Sequence, residues 1–198
     1  MTHDETLEPD SHRRELIIAT ATAGGIAAVA GVVPFIASMT PSERARAAGS
    51  PVTADISKLA PGEMMSVAWR GKPVWILRRT PQMIEGLARV ESELLDPESS
   101  RAQQPDYCRN AVRSRKPEYL VAVGICTHLG CVPTFRPDVA PPDLGPNWRG
   151  GYYCPCHGSR FDLAGRVYKN LPAPLNLLIP EYHYPSETEV TVGLNGAA

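Results

Sequence analysis

Two short stretches, "CTHLGC" at 126–131 and "CPCHGS" at 154–159, constrain this chain more than anything else in it. Each sets a cysteine close to a histidine, Cys126 with His128 and Cys154 with His157, and each carries one further cysteine, Cys131 or Cys156. A single metal can hardly use Cys154, Cys156 and His157 together from so tight a loop. Two loops with matched Cys/His pairs can instead clamp one centre between them. The spare thiols, one per loop, are then placed for a disulfide that ties the loops together. Whatever the fold, it must bring these two segments side by side.

The donor set narrows the chemistry. Structural zinc sites favour C-x₂₋₄-C and H-x₃₋₅-H spacing, whereas here cysteine and histidine are mixed within each half. A two-iron, two-sulfide cluster suits the mixture, with thiolates on one iron and imidazoles on the other. Replacing two anionic ligands by neutral ones makes the site less negative, so reduction is easier and the potential rises into a range of about −150 to +300 mV. Cys/His nucleophilic catalysis needs one nucleophile and one base, not two symmetrical pairs. Of the five cysteines, only Cys108 stands apart, and it reads as an ordinary free thiol.

The amino-terminal part reads differently. Residues 1–15 are polar, and 16–39, "LIIATATAGGIAAVAGVVPFIASM", hold no charge. At 1.5 Å per residue that run spans a bilayer core of about 30 Å. Arg13 and Arg14 just before it resemble a twin-arginine export signal, and they also satisfy the positive-inside preference. A cleaved signal peptide is a rival, since "ARA" at 45–47 fits a small-x-small cleavage site. The apolar run exceeds a usual signal core, which favours a retained anchor.

Residues 40–54 read as a tether rich in Ala, Ser and Pro, with a globular head from 55 to 198. In the head, 62–80 reads as two strands around a turn at 70–73, and 82–95 as one amphipathic helix. Strands are expected at 118–125, 148–154, 165–169 and 189–194, with a Pro-rich loop at 132–147 and a Pro-rich segment entering a strand at 171–182. With 20 prolines, 16 glycines and short strands throughout, the head is expected to be mainly β, an antiparallel sandwich with one helix. No internal repeat is evident. A net charge of −1 without a basic stripe excludes the electrostatic footprint of a nucleic-acid binder.

"RNAVRSRKPEYLVAVGICTHLGC" at 109–131 and "CPCHGSRFDLAGRVYKNLPAPLNL" at 154–177 resemble the Rieske iron–sulfur proteins, specifically the iron–sulfur subunits of cytochrome bc complexes. The resemblance covers nearly the whole chain. It implies one [2Fe-2S] cluster, a cluster-binding subdomain at 125–175, Cys126 and Cys154 on a buried iron, and His128 and His157 on an outer iron. It implies a Cys131–Cys156 disulfide and a Ser159 hydroxyl donated to a bridging sulfide. It places Leu129 as a shield facing a quinone pocket, and Pro172, Ala173 and Pro174 as a covering loop. The implied activity is oxidation of membrane quinol and electron delivery to a c-type cytochrome by a moving head, with His157 and His128 as the reacting histidines and cytochrome b as the other partner. The implied place is the bacterial inner membrane, with residues 1–15 cytoplasmic, 16–39 in lipid and the head periplasmic. Phe161 departs from the pattern: many relatives carry a tyrosine there, whose hydroxyl donates to a ligand sulfur. The alternative activity is that of a small Rieske subunit in a periplasmic oxidoreductase such as arsenite oxidase. A Rieske ferredoxin or oxygenase domain typically lacks both spare cysteines.

Overall fold

The computed structural model describes residues 10–42 and 49–194, and the chain separates into two units, 1–47 and 48–198. The suggested cleavage site at 45–47 and most of the middle of the tether lie outside the described residues.

Among its described residues, the first unit holds one helix, α1 (Ser11–Ser38). It begins before the uncharged run because the Asp10 carboxylate accepts the amides of His12 and Arg13, at 3.1 and 3.4 Å, which satisfies donors of the first turn. Arg13 and Arg14 therefore belong to the helix. No side chain of α1 is buried within the unit, and Phe35 is 75% exposed. From Leu16 onward the helix is uncharged and, among the described residues, exposed on every side, which suits lipid, and its 28 residues span about 42 Å. The hydroxyls of Thr20 and Thr22 bond back to the carbonyls of Leu16 and Ile18, both at 2.8 Å, so neither is left bare in an apolar medium. By length and composition, α1 can cross a membrane.

The second unit is mainly antiparallel β, in three three-stranded sheets. The first joins β1 (Val52–Asp55), β9 (Glu189–Val192) and β8 (Tyr182–Ser186) in the order β1–β9–β8. The second is β2 (Met64–Trp69), β3 (Lys72–Arg78) and β4 (Tyr119–Val123) in chain order. The third is β5 (Thr134–Arg136), β6 (Gly151–Tyr153) and β7 (Arg160–Asp162). The β2–β3 hairpin pairs Trp69 with Lys72 across Arg70 and Gly71, both at positive φ, as a tight primed turn requires. All five β4 residues are buried, matching their unbroken apolar run. Trp75 of β3 stacks on Tyr152 of β6 with ring centroids 4.8 Å apart, joining the third sheet to the second. Gly124, at the exit of β4, is pressed so close to the Trp75 indole that a Cβ there would collide with it.

Several elements differ from the sequence reading, each for a physical reason. Val52, Thr53 and Ala54, read as tether, are strand: β1 pairs with β9, from Val52↔Val192 to Asp55↔Glu189. The helix read at 82–95 is α2 (Pro81–Arg89), capped by Thr80 and followed by a 3₁₀ turn at Glu91–Glu93. Val90 and Leu94 leave the helix to pack in a separate small cluster with Trp148 and Tyr168. The strand read at 165–169 is reduced to bridges at Val167 and Tyr168. The Asp162 carboxylate takes the amides of Ala164 and Arg166, at 2.9 and 2.8 Å, and curls the chain there. The 132–147 loop, in turn, contains β5.

Candidate metal centre

The loop 126–131 leaves β4, and the loop 154–159 connects β6 to β7. Their backbones share one frame. Cys126 N donates to Cys131 O at 2.7 Å, and Cys154 N to Ser159 O at 2.8 Å. Gly130 N donates to Cys126 O at 3.0 Å, and Gly158 N to Cys154 O at 2.9 Å. Gly130 and Gly158 both have positive φ, 84° and 76°, where a side chain would be strained. The common frame is Cys-x-x-x-Gly-x. It escapes a repeat search because only two of its six residues are shared, and the histidines sit one place apart within it, at the third position in one loop and the fourth in the other.

The frames bring the ligand candidates together. Cys126 and Cys154 are each 2% exposed and carry free thiols. Burial pushes the Cys126 thiol up, as does the neighbouring Cys154, while the His128 amide and the Ser159 hydroxyl pull it down; the net is a raised value. The buried Cys126 thiol resists becoming a thiolate unless a cation joins it. The His128 and His157 rings meet edge to face, centroids 4.7 Å apart. His128 is part-buried and its Nδ1 is fully buried without a hydrogen-bond partner among the described residues, whereas His157 is exposed. Buried sulfur, exposed imidazole and an orphaned ring nitrogen fit a cluster with one sulfur-bound and one nitrogen-bound iron. Cys131 and Cys156 are joined in a disulfide, with Cα atoms 6.7 Å apart. The sulfurs of Cys131, Cys154 and Cys156 lie within 4.8 Å of one another, but two of them are spent on that bond, so only Cys154 of the three offers a thiolate.

The surrounding residues divide by burial. Leu129 is 71% exposed at the tip. Pro172 and Pro174 are exposed and Ala173 is buried between them. Ser159 is fully buried, and its Oγ accepts the Ala173 amide at 3.1 Å. Phe161, in β7, is fully buried and registers opposite Tyr152. Cys108 is buried and away from this group, 3.6 Å from the Tyr182 hydroxyl, and burial pushes its thiol up.

Two residues escaped the sequence reading. Thr127, between two ligand candidates, donates from Oγ1 to Leu175 O at 2.6 Å. Arg113, fully buried, donates to the carbonyls of Ala164, Gly165 and Leu177 at 3.0, 3.1 and 2.8 Å. Burial pulls its guanidinium down to about 10, still charged at neutral pH. Thr127 is the unassigned second residue of the first box and Arg113 lies outside both boxes; the carbonyls each one meets give it a role.

Comparison with known proteins agrees with this geometry. Residues 50–183 match the family model described as "Rieske [2Fe-2S] domain", and 2–42 match "Ubiquitinol-cytochrome C reductase Fe-S subunit TAT signal". The ubiquinol-cytochrome c reductase iron-sulfur subunit of Allochromatium vinosum is 59% identical over 181 residues, covering 91% of this chain and 87% of that one. The subunit of the same name from Bradyrhizobium diazoefficiens is 37% identical over 194 residues, covering 98% and 100%. That from Blastochloris viridis is 40% identical over 196 residues, covering 98% of each. On the donor set, the paired loops and these matches, the chain belongs to the Rieske [2Fe-2S] family, among the iron–sulfur subunits of ubiquinol–cytochrome c reductase.

Proposed function

We propose that this chain is the iron–sulfur subunit of a quinol–cytochrome c reductase, taking one electron at a time from membrane quinol and passing it to a c-type cytochrome. The observation that carries the reading is the pair of matched loops, which place two buried free thiols and two touching imidazoles in one site. Cys126 and Cys154 would hold one iron of the cluster, and His128 and His157 the other. When bound, the cluster supplies a one-electron acceptor of raised potential.

The chain's own residues supply the rest. His157, exposed, presents a ring to the quinol hydroxyl, accepts its hydrogen bond and carries away one proton, with His128 as the second reacting histidine. The exposed Leu129 side chain faces the quinone pocket and keeps water from the ligands. Residues 172–174 cover the other side, and the Ser159 hydroxyl donates to sulfur, favouring the more negative, reduced state. α1 anchors the chain as a single span of the bacterial inner membrane. The twin arginines direct a folded, cluster-loaded head to the periplasmic side, where the disulfide closes. Cytochrome b takes the second electron, and activity belongs to the assembled complex; alone, the head is an electron carrier.

Purification from membranes with haem and iron counts, together with electron paramagnetic resonance of the reduced protein, tests this reading. Two irons and a rhombic reduced signal, co-purifying with b and c haems, are expected. A bound zinc and no such signal would overturn it, and the cluster without b haem would favour the arsenite-oxidase type of subunit.

A further inference from the structure

The segment 171–180 lies against both ligand loops, yet Pro172, Pro174 and Pro180 have no N–H, which rules out a regular ladder. The Val123 amide meets Leu178 O at 2.8 Å, and side chains meet three other carbonyls. Thr127 holds Leu175 O, Arg113 holds Leu177 O, and Arg101 Nη1 donates to Pro174 O at 2.8 Å. Thr127 sits inside a ligand loop and Arg113 is buried in the core. Arg101 is different: an exposed cation reaching Pro174 from 73 positions away in the chain.

Its turn is built to aim it. The Asp96 carboxylate accepts the Ser100 amide at 2.9 Å, the Ser100 hydroxyl at 2.7 Å and the Arg101 amide at 3.2 Å. Ser99, fully buried, holds a φ of 53°, uncommon for a residue with a side chain. The turn is also joined to the proline segment directly, since Asn176 Nδ2 donates to Asp96 O at 3.0 Å. From Pro174 the connection runs inward. The next residue back, Ala173, donates its amide to Ser159 Oγ, which leaves the Ser159 proton to be donated toward the sulfur of the cluster.

We propose that Arg101 is a positioning residue for the cluster: its guanidinium holds the Pro174 carbonyl and keeps 172–174 seated on the two ligand loops. The proposal rests on the cluster reading above. A seated segment fixes the Ala173–Ser159 bond, and with it the direction in which the serine hydroxyl donates. The guanidinium also adds positive charge on that side, favouring the reduced state, though solvent and salt screen it.

The test uses the full-length, membrane-purified protein with Arg101→Ala and Arg101→Lys. Because Arg101 is exposed and contacts Pro174 through one N–H, lysine can supply both donor and charge. In Arg101→Ala the Ala173 amide is expected to exchange about tenfold faster with solvent, the factor that accompanies loss of one hydrogen bond. The equilibrium for one-electron reduction of the cluster is expected to fall about threefold, and Arg101→Lys should restore both. Unchanged Ala173 exchange in Arg101→Ala, or a lysine variant that behaves like alanine, would overturn the proposal. A wild-type protein without the rhombic signal would sink the cluster reading itself, and the exchange rates would still decide whether Arg101 seats the segment.

Discussion

Phe161 is fully buried in β7, so a hydroxyl added to its ring must find an acceptor or destabilise the head by about 1–3 kcal/mol. Phe161→Tyr is expected to raise the midpoint potential, because a hydroxyl donated to a ligand sulfur favours the reduced cluster. A redox titration beside a denaturation curve checks this: a raised potential without loss of stability means that the sulfur is in reach. Asp96 gives a pH prediction. Burial pushes its carboxyl up, but the Ser100 hydroxyl and the amides of Ser100 and Arg101 outweigh burial and leave it below the ordinary value. A carboxyl lowered in the folded state contributes stability that is present above its unfolded pKa of about 3.9 and lost as pH falls through the folded value. Wild-type stability is therefore expected to decline below about pH 4 more steeply than that of Asp96→Asn, as urea titrations at several pH values would show.

At the scale of elements, the site is two copies of one loop frame tied by one disulfide. Cys131 and Cys156 are 25 residues apart, and closing a loop of that size limits the unfolded chain by an amount worth about 3 kcal/mol. The paired Cys131→Ser, Cys156→Ser variant is expected to lose stability of that order, and the loops should part more readily at the exposed histidine side. Loss of cluster absorbance on warming, at a lower temperature than in the wild type, is the measurement. The sequence showed that the boxes must meet, because their residue types make sense only as one donor set. It did not show the shared frame, because that resides in backbone bonds and in two glycines.

For the whole molecule, the proposed movement of the head depends on the chain between α1 and β1. With β1 starting at Val52, the segment left to act as a tether is shorter than the 40–54 of the sequence reading. Replacing residues in 43–50 by prolines is expected to slow reduction of the c-type cytochrome severalfold while leaving the reduced cluster spectrum unchanged. Stopped-flow kinetics on the assembled complex would measure it, and full turnover with a stiffened tether would refute the moving head.

The sequence by itself determined whatever depends on residue type and local spacing. It determined the uncharged run of α1, a β2–β3 hairpin turning within 70–73, and the mainly β character of the head, and it offered Cys126, His128, Cys154 and His157 as one donor set. Only the tertiary structure decided what depends on partners far away in the chain. The pairing of β1 with β9, the break of the helix at Arg89 and the seats of Arg101, Thr127 and Arg113 on the proline segment are of this kind. A strand as short as "VTAD" or a lone surface arginine has no periodicity of its own. Its place is set by whichever unsatisfied backbone groups the fold brings within reach.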